Sequence, residues 1–129
     1  MRTIAIGDIH GDMDALRTLP FFYEDEHDIY VHAGLIQKDG VFVHPEDAED
    51  LRALLWTRTK NFFQNYRGKR VVVGHTVTTL LPDDLSSYTP KDPTDLWAGP
   101  AVTAIDTGAG KGGFLTCLEL PAMIVHESR

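Results

Sequence analysis

The sequence lacks the features of a secreted or membrane-bound protein. Cys117 is the single cysteine, so no disulfide can form within the chain, and a reducing cytoplasm is the expected location. No apolar run approaches the roughly 18 residues that a bilayer-spanning helix needs. The first residues lead directly into a strand pattern, without the apolar core and cleavage site of a signal peptide. We therefore expect a cytoplasmic protein with no membrane partner.

Positive charge is also scarce. The chain has 12 Lys and Arg residues against 19 Asp and Glu residues, a formal net charge of -7. A nucleic-acid-binding protein would carry a basic face, so we expect no nucleic-acid partner. With 129 residues, 43% of them hydrophobic, the chain has the size and composition of one globular domain covering residues 1–129.

Glycine-flanked turns follow three apolar runs that are typical of short buried strands. The runs end at Ile6, Val31 and Val73, and the turns read Gly7-Asp8-Ile9-His10-Gly11, His32-Ala33-Gly34 and Gly74-His75. If these strands lie parallel in one sheet, their carboxyl ends meet at one edge, which is where α/β sheets bind ligands. We expect the polar side chains of the turns to converge there.

The converging side chains would be Asp8, His10, His32 and His75. One carboxylate and three imidazoles suit a first-row transition metal such as Zn, Mn or Fe. They suit Mg or Ca less well, because those ions prefer oxygen ligands throughout. The residues alone therefore predict a divalent metal site.

The remaining pattern predicts alternating helices and strands, an α/β chain. Helices are expected after Asp12, from Pro45 toward Arg58, and over residues 61–66, with a hairpin turn at residues 38–40 and a long loop over 78–100. Further strands are expected at residues 101–105, 114–120 and 122–125. The acidic run at 24–28 is interpreted as a solvated turn, and Cys117 as a packed strand residue.

Five stretches carry a resemblance to a known family. They are, in chain order, GDIHG, LPFFYEDEHDIYVHAGL, LLWTR, RVVVGHT and AIDTGAGKGGFLTCLEL. In this order, over nearly the whole chain, they resemble the metallophosphoesterases of the phosphoprotein-phosphatase type, which include bacterial serine/threonine phosphatases and symmetrical diadenosine-tetraphosphate hydrolases. The resemblance implies a mixed β-sandwich flanked by helices. It also implies a metal-dependent phosphatase that hydrolyses phosphomonoesters with metal-activated water.

The resemblance also assigns roles to individual residues. Asp8 and His10 would bind a first metal, and His32 and His75 a second. Arg58, from LLWTR, would contact the substrate phosphate, for which the forked guanidinium is well suited. Arg58 and His10 are the expected catalytic residues. The expected cofactor is one or two divalent transition-metal ions (Mn, Zn, Fe or Ni), and the expected substrate is a small phosphorylated molecule.

Two motifs of the family are missing. GDxVDRG and GNHE would stand between GDIHG and VHAG, but only 21 residues separate His10 from His32. In the family these motifs supply the metal-bridging aspartate, an asparagine ligand, an arginine for phosphate and the histidine that protonates the leaving group. The expected fold is therefore a reduced sandwich with central strands missing, either a natural miniature or an engineered deletion.

The missing motifs leave several alternatives for the site. Without a bridging carboxylate, either one metal is held by all four ligands, or two metals are held with water, phosphate or other side chains filling the gaps. Asp106 is a possible extra ligand or an acceptor for a histidine N–H, although a turn-capping role is favoured. His27 and His44 are candidates for the missing general acid. Otherwise water protonates the leaving group.

The missing strands would also leave an exposed sheet edge, which can pair with another chain. We expect a homodimer or higher homo-oligomer formed across that edge. Size-exclusion chromatography with light scattering checks this, and a clean monomer would contradict it. Two further interpretations of the whole chain remain open. One is an inactive metal- or phosphate-binding remnant that acts as a binding or structural module, and the other is a foldable fragment of structural interest only.

Overall fold

The computed structural model describes residues 1–6, 19–87 and 96–128. Within these ranges short strands alternate with a few short helices. The strands are β1 (Thr3–Ile6), β2 (Phe22–Glu24), β3 (Ile29–Val31), β4 (Gln37–Lys38), β5 (Val41–Phe42), β6 (Val71–Val73), β7 (Trp97–Ala98), β8 (Val102–Ala104), β9 (Thr116–Leu120) and β10 (Ile124–Glu127). The α-helices are α1 (Ala53–Trp56) and α2 (Lys60–Asn65), and 3-10 turns cover Pro45–Asp47, Thr78–Leu80 and Asp83–Leu85.

A five-stranded mixed sheet has the order β2-β3-β6-β8-β7. Its three inner strands are parallel, and the two edge strands run antiparallel to their neighbours. The inner strand β6 consists of three valines that are buried on both faces of the sheet. An unbroken β-branched run is typical of such a doubly covered parallel strand. The predicted strands that became β3, β6 and β8 are confirmed.

A separate three-stranded antiparallel sheet has the order β1-β9-β10. Ile6 of β1 pairs with Cys117 of β9, and Cys117 in turn pairs with His126 of β10. The expectation that β1 shares a sheet with β3 and β6 is therefore wrong. The physical reason lies in burial: β1 alternates between partly buried and exposed residues, which suits a sheet packed on one face only.

The two sheets pack face to face. Val72 and Tyr30 of the five-stranded sheet lie in one apolar cluster with Leu118 and Leu120 of the three-stranded sheet. On the opposite face of the five-stranded sheet, a second cluster joins the strands to the helices. Its members include Ile29, Val31, Leu54, Phe62, Phe63, Tyr66, Val71, Val73, Val102 and Ala104. The architecture is thus mixed and dominated by sheets, with few helices.

Polar contacts between the sheets fix the direction of β1. Thr3, at its start, donates from Oγ1 to Oδ2 of Asp25 at 2.8 Å, and Asp25 lies shortly before β3. At the other end, the hydroxyls of Thr107 and Thr116 are 2.5 Å apart, and these residues lie just after β8 and at the start of β9. Since the last residue of β1 pairs next to Thr116, β1 ends at the same end of the sandwich as β3, β6 and β8.

The helix predicted from Pro45 toward Arg58 is wrong over most of its length. A 3-10 turn covers Pro45–Asp47, and helix α1 begins only at Ala53. Between them, the side chain of Asp50 accepts a hydrogen bond from the backbone N–H of Arg52 at 2.9 Å. Such a local side-chain bond competes with continuous helical bonding and interrupts the element.

Most of the other local predictions agree with the structure. The hairpin at residues 38–40 is confirmed by strands β4 and β5, and helix α2 and the antiparallel pair of β9 and β10 lie close to their predicted positions. The predicted loop over 78–100 contains two 3-10 turns and the short strand β7. Strand β2 was not predicted. The helix expected after Asp12 lies outside the described residues.

The acidic run at 24–28 is a turn, but it is not uniformly solvated. Asp28 is fully buried, and Arg70 donates to its carboxylate from Nε to Oδ1 and, at 3.0 Å, from Nη2 to Oδ2. The interpretation of a solvated turn is therefore wrong for Asp28. The local charge pattern could not predict this ion pair, because Arg70 lies 42 residues away from Asp28 in the sequence.

Asp25, in the same turn, is held by four donors. Burial opposes its ionisation, but hydrogen bonds from two backbone N–H groups and two hydroxyls outweigh burial and hold the pKa of the Asp25 carboxyl well below its usual range. The donors belong to Asp28, Thr3, His27 and Tyr30. This turn therefore joins the start of β3 to the start of β1 through an ionised carboxylate.

Strand β1 presents an open edge, since β9 is its one strand partner within the described ranges. Ile4 and Ile6 on this strand are each 52% exposed. The predicted homo-oligomer remains a prediction, for which this edge is the relevant surface.

Cys117 is unpaired and partly buried in β9, as expected for a strand residue. No helix of the described segments is long and apolar enough to cross a membrane.

Candidate metal and anion site

Two histidines follow neighbouring parallel strands, His32 after β3 and His75 after β6. The backbone N–H of Gly74 donates to the carbonyl of His32 at 2.9 Å, so the two turns are tied directly to each other. Nε2 of His32 lies 3.2 Å from Nδ1 of His75. The parallel pairing of the strands therefore brings together two of the predicted metal ligands.

Helix α1 brings a third predicted residue to the same place. The N–H of Ala33 donates to the carbonyl of Leu54 at 2.9 Å, which fixes the helix against the turn that carries His32. The helix ends at Trp56, and the chain then extends so that Nε of Arg58 donates to Nε2 of His75 at 3.0 Å. Motif residues from three separate segments thus form one hydrogen-bonded row.

Gly34 permits the turn that carries His32 to pack closely against the helices. A Cβ atom at residue 34 would lie 2.9 Å from Cδ1 of Phe62 and 3.1 Å from Cγ2 of Thr57. Both distances are shorter than an ordinary van der Waals contact, so a larger residue would push the turn away from the helices. The glycine of VHAG is therefore needed for packing at the site.

The contact with Arg58 assigns a role to one imidazole nitrogen. The guanidinium of Arg58 can only donate, so Nε2 of His75 is the acceptor. In the contact between the two imidazoles, the donor depends on the tautomer, and a proton on Nδ1 of His75 would make that nitrogen the donor to Nε2 of His32.

The same two nitrogens fit a metal ion. Two ligands on a tetrahedral zinc ion, each about 2.0–2.1 Å from it, lie roughly 3.3 Å apart, close to the 3.2 Å between His32 and His75. Metal coordination by Nδ1 of His75 would leave the ring proton on Nε2, which could then no longer accept from Arg58. A cation bound at both histidines would therefore remove the acceptor of Arg58.

The described part of the chain supplies two of the four predicted ligands. No cluster of three or more His, Cys, Asp or Glu side chains suited to a metal occurs in residues 1–6, 19–87 and 96–128. Asp8 and His10 lie outside those residues. They follow β1, whose last residue, Ile6, lies at the same end of the sandwich as the turns of His32 and His75.

The turn around His75 contains two unfavourable local features. His75 has a positive φ of 64°, a conformation that costs energy for a residue with a side chain. The neighbouring Thr76 has a buried hydroxyl with no hydrogen-bond partner in the described structure. Unfavourable local geometry of this kind is concentrated at functional sites, where the surrounding fold enforces it.

Asp106 follows β8 at the same end of the sheet. Its Oδ1 accepts a hydrogen bond from the N–H of Gly108 at 3.0 Å, and its carbonyl accepts from the N–H of Thr78 at 2.9 Å. The prediction that Asp106 caps a turn is confirmed. The carboxylate stabilises the glycine-rich turn and ties the segment after His75 to the end of β8.

The two candidates for a general acid lie elsewhere. His27 precedes β3, at the end of that strand opposite to His32, and its side chain faces Glu26. His44 bonds through Nε2 to Glu24 at 2.8 Å, and Glu24 pairs with the first residue of β3. Neither position supports the expectation that one of these histidines replaces the missing acid.

Trp56 is a neighbour of the site that was not singled out from the sequence. Its indole meets the imidazole of His75 edge to face, with ring centroids 5.7 Å apart, yet it is 72% exposed. The available signal was its position in LLWTR, two residues before Arg58. The pattern alone assigned it only to the end of a helix.

Comparisons of the chain with protein-family models, with curated proteins and with solved structures found no match.

Proposed function

We propose that the chain is a metal-dependent phosphoesterase that hydrolyses phosphomonoesters of small molecules in the cytoplasm. The observation that carries this proposal is the meeting of His32, Arg58 and His75. These residues come from three of the motifs of the resemblance, they are 17 to 43 residues apart in the sequence, and the fold places them in hydrogen-bonding contact.

The described residues suit two tasks. The imidazoles of His32 and His75 present adjacent nitrogens for a divalent cation, with Asp8 and His10 as the further ligands that the resemblance implies. Such a cation, when bound, neutralises phosphoryl charge and makes water a better nucleophile. Arg58 lies beside His75 and can turn its guanidinium to a phosphate, where it would stabilise the charge that develops on the phosphoryl oxygens.

The proposal includes the fold of the family. Two packed sheets with helices on one outer face agree with a reduced metallophosphoesterase sandwich covering residues 1–129, and the open edge of β1 agrees with the loss of central strands. Within the described residues, His27 and His44, the candidates for a general acid, contact Glu26 and Glu24 and not His75. The proposed reaction therefore favours esters whose leaving group departs without strong help from a proton donor.

A second candidate function is an inactive module that binds a metal or phosphate. The two missing motifs favour it, since they would have supplied the bridging carboxylate and the general acid. Both candidate functions require that metal and anion bind at the histidines and Arg58. Catalytic turnover is therefore the property that distinguishes them.

One experiment separates the two candidate functions. The chain is freed of metal with a chelator and assayed for p-nitrophenyl phosphate hydrolysis with and without Mn²⁺, together with its metal content. The wild-type chain is compared with His75→Asn and Asp8→Asn. Asparagine is chosen at position 75 because it tolerates the positive φ found there. We expect Mn²⁺-dependent turnover in the wild type and a loss of both turnover and bound metal in the variants.

His27→Asn is the matched control, because it makes the same chemical change at the far end of β3. It is expected to keep wild-type activity and metal content. Equal, background-level rates in the wild type and in both site variants would end the proposal of catalysis. If the wild type still bound metal, the inactive binding module would be the better description.

A further inference from the structure

Trp56 is the most exposed aromatic residue among those that the structure describes. Its side chain is 72% exposed although it directly follows Leu54 and Leu55 in a helix whose inner residue, Leu54, is completely buried. The second tryptophan shows the contrast: Trp97 is 3% exposed, and its Nε1–H donates to the carbonyl of Pro82 at 2.8 Å. The exposure of Trp56 is therefore a local property of the site.

The indole of Trp56 lies beside the residue that also contacts Arg58. Trp56 and Arg58 both contact the imidazole of His75, the first edge to face at a centroid distance of 5.7 Å and the second through a 3.0 Å hydrogen bond. A phosphoryl group bound by the guanidinium would therefore lie near the indole. An ester substituent on the side of Trp56 would meet a large, exposed aromatic surface.

We propose that Trp56 selects phosphate esters whose substituent is an aryl ring. Flat aromatic groups gain from stacking on an indole, and covering an exposed tryptophan adds apolar burial. A short alkyl substituent covers little of this surface. The inference rests on the proposed function only for the place of the phosphoryl group, which is the contact with Arg58.

The leaving group gives the same preference an additional chemical basis. In the described structure, the two candidates for a general acid, His27 and His44, contact Glu26 and Glu24 and not His75. Phenolate-type leaving groups depart more easily without a proton than alkoxides do. The ring that stacks on Trp56 is thus also the group that reacts with the least help.

Binding of two phosphonates tests this inference apart from hydrolysis, because phosphonates keep the charged group and cannot be cleaved. The Mn²⁺-loaded chain is titrated by calorimetry with phenylphosphonate and with methylphosphonate. The wild type is expected to bind phenylphosphonate about tenfold more tightly. Trp56→Ala should reduce this ratio to about two or less with little change for methylphosphonate, whereas Trp56→Phe should retain most of it.

Val41→Ala is the matched control, since Val41 is an exposed apolar residue, 66% accessible, in the hairpin of β4 and β5. It should leave both affinities unchanged. An equal ratio in the wild type and in Trp56→Ala would overturn the role of Trp56. Failure of both phosphonates to bind would overturn it together with the anion site. Selective phenylphosphonate binding by a chain that hydrolyses no ester would refute only the proposed catalysis.

Discussion

Replacing Arg58 with alanine is expected to lower kcat/KM for p-nitrophenyl phosphate by about 10²- to 10³-fold, the usual cost of removing one donor that stabilises transition-state charge. Arg58 donates to Nε2 of His75 at 3.0 Å, so its guanidinium lies directly beside the paired histidines. The motif GDxVDRG, which supplies a further phosphate-binding arginine in the resembled family, is absent from the sequence. Steady-state kinetics with Mn²⁺ present measures the effect.

Three companion measurements make this result specific. Metal binding should not be weakened in Arg58→Ala, because Arg58 contacts Nε2 of His75 and not the facing nitrogens that are proposed to hold the metal. Arg58→Lys should recover only part of the activity, since an ammonium cannot form two parallel bonds to phosphate. Arg52→Ala, an exposed arginine just before α1, should behave as the wild type. Wild-type kinetics in Arg58→Ala would remove Arg58 from the proposed reaction.

Replacing Arg70 with methionine is expected to lower the free energy of unfolding by about 3–5 kcal/mol. The side chain of Asp28 is 1% exposed, whereas that of Arg70 is 32% exposed. Loss of the cation therefore leaves a carboxylate that has no access to water and only the weak, 3.4 Å contact from Tyr30 as a further side-chain donor. Urea denaturation of the two proteins measures the difference.

The ion pair at the surface of β1 provides the comparison. Arg2 and Glu119 lie 3.5 Å apart, but the side chain of Arg2 is 67% exposed, so Arg2→Met should cost less than about 1 kcal/mol. The double variant Arg70→Met with Asp28→Asn should recover part of the lost stability, because the buried charge is removed with its partner. A cost for Arg70→Met no larger than that for Arg2→Met would contradict the importance of the buried pair.

Local patterns predicted the strands of the core well. The runs that became β3, β6 and β8 are short, apolar and bounded by polar turns, and in each case the pattern and the burial agree. What the pattern could not supply was sheet membership. Ile4-Ala5-Ile6 resembles the core strands in composition, yet it pairs in the other sheet, because pairing is decided by contacts with residues more than 110 positions away.

The polar network before β3 shows a second property that local sequence patterns could not predict. An acidic run is normally solvated, and four of the five positions at 24–28 are at least partly exposed. Asp28 differs because Arg70, which precedes β6, is placed beside it by the parallel pairing of β3 and β6. A sequence shows both charges, but only the register between the strands shows that they meet.

Part of the candidate site was predictable from the sequence. The turns after β3 and β6 carry His32 and His75, and parallel pairing of adjacent strands brings such turns together without any further information. The hydrogen bond from Arg58 to His75 and the exposure of Trp56 depend on how helix α1 ends and on side-chain direction. Neither is encoded in residue spacing alone.

The hydroxyl contacts between the two sheets have a consequence beyond stability. The hydrophobic effect is non-directional, whereas hydrogen bonds depend on the alignment of donor and acceptor. Two hydrogen bonds therefore fix the position of one sheet relative to the other, one between Thr3 and Asp25 and one between Thr107 and Thr116. They set how far β1 advances relative to β3 and β6, and with it the place from which the chain leaves Ile6 toward Asp8.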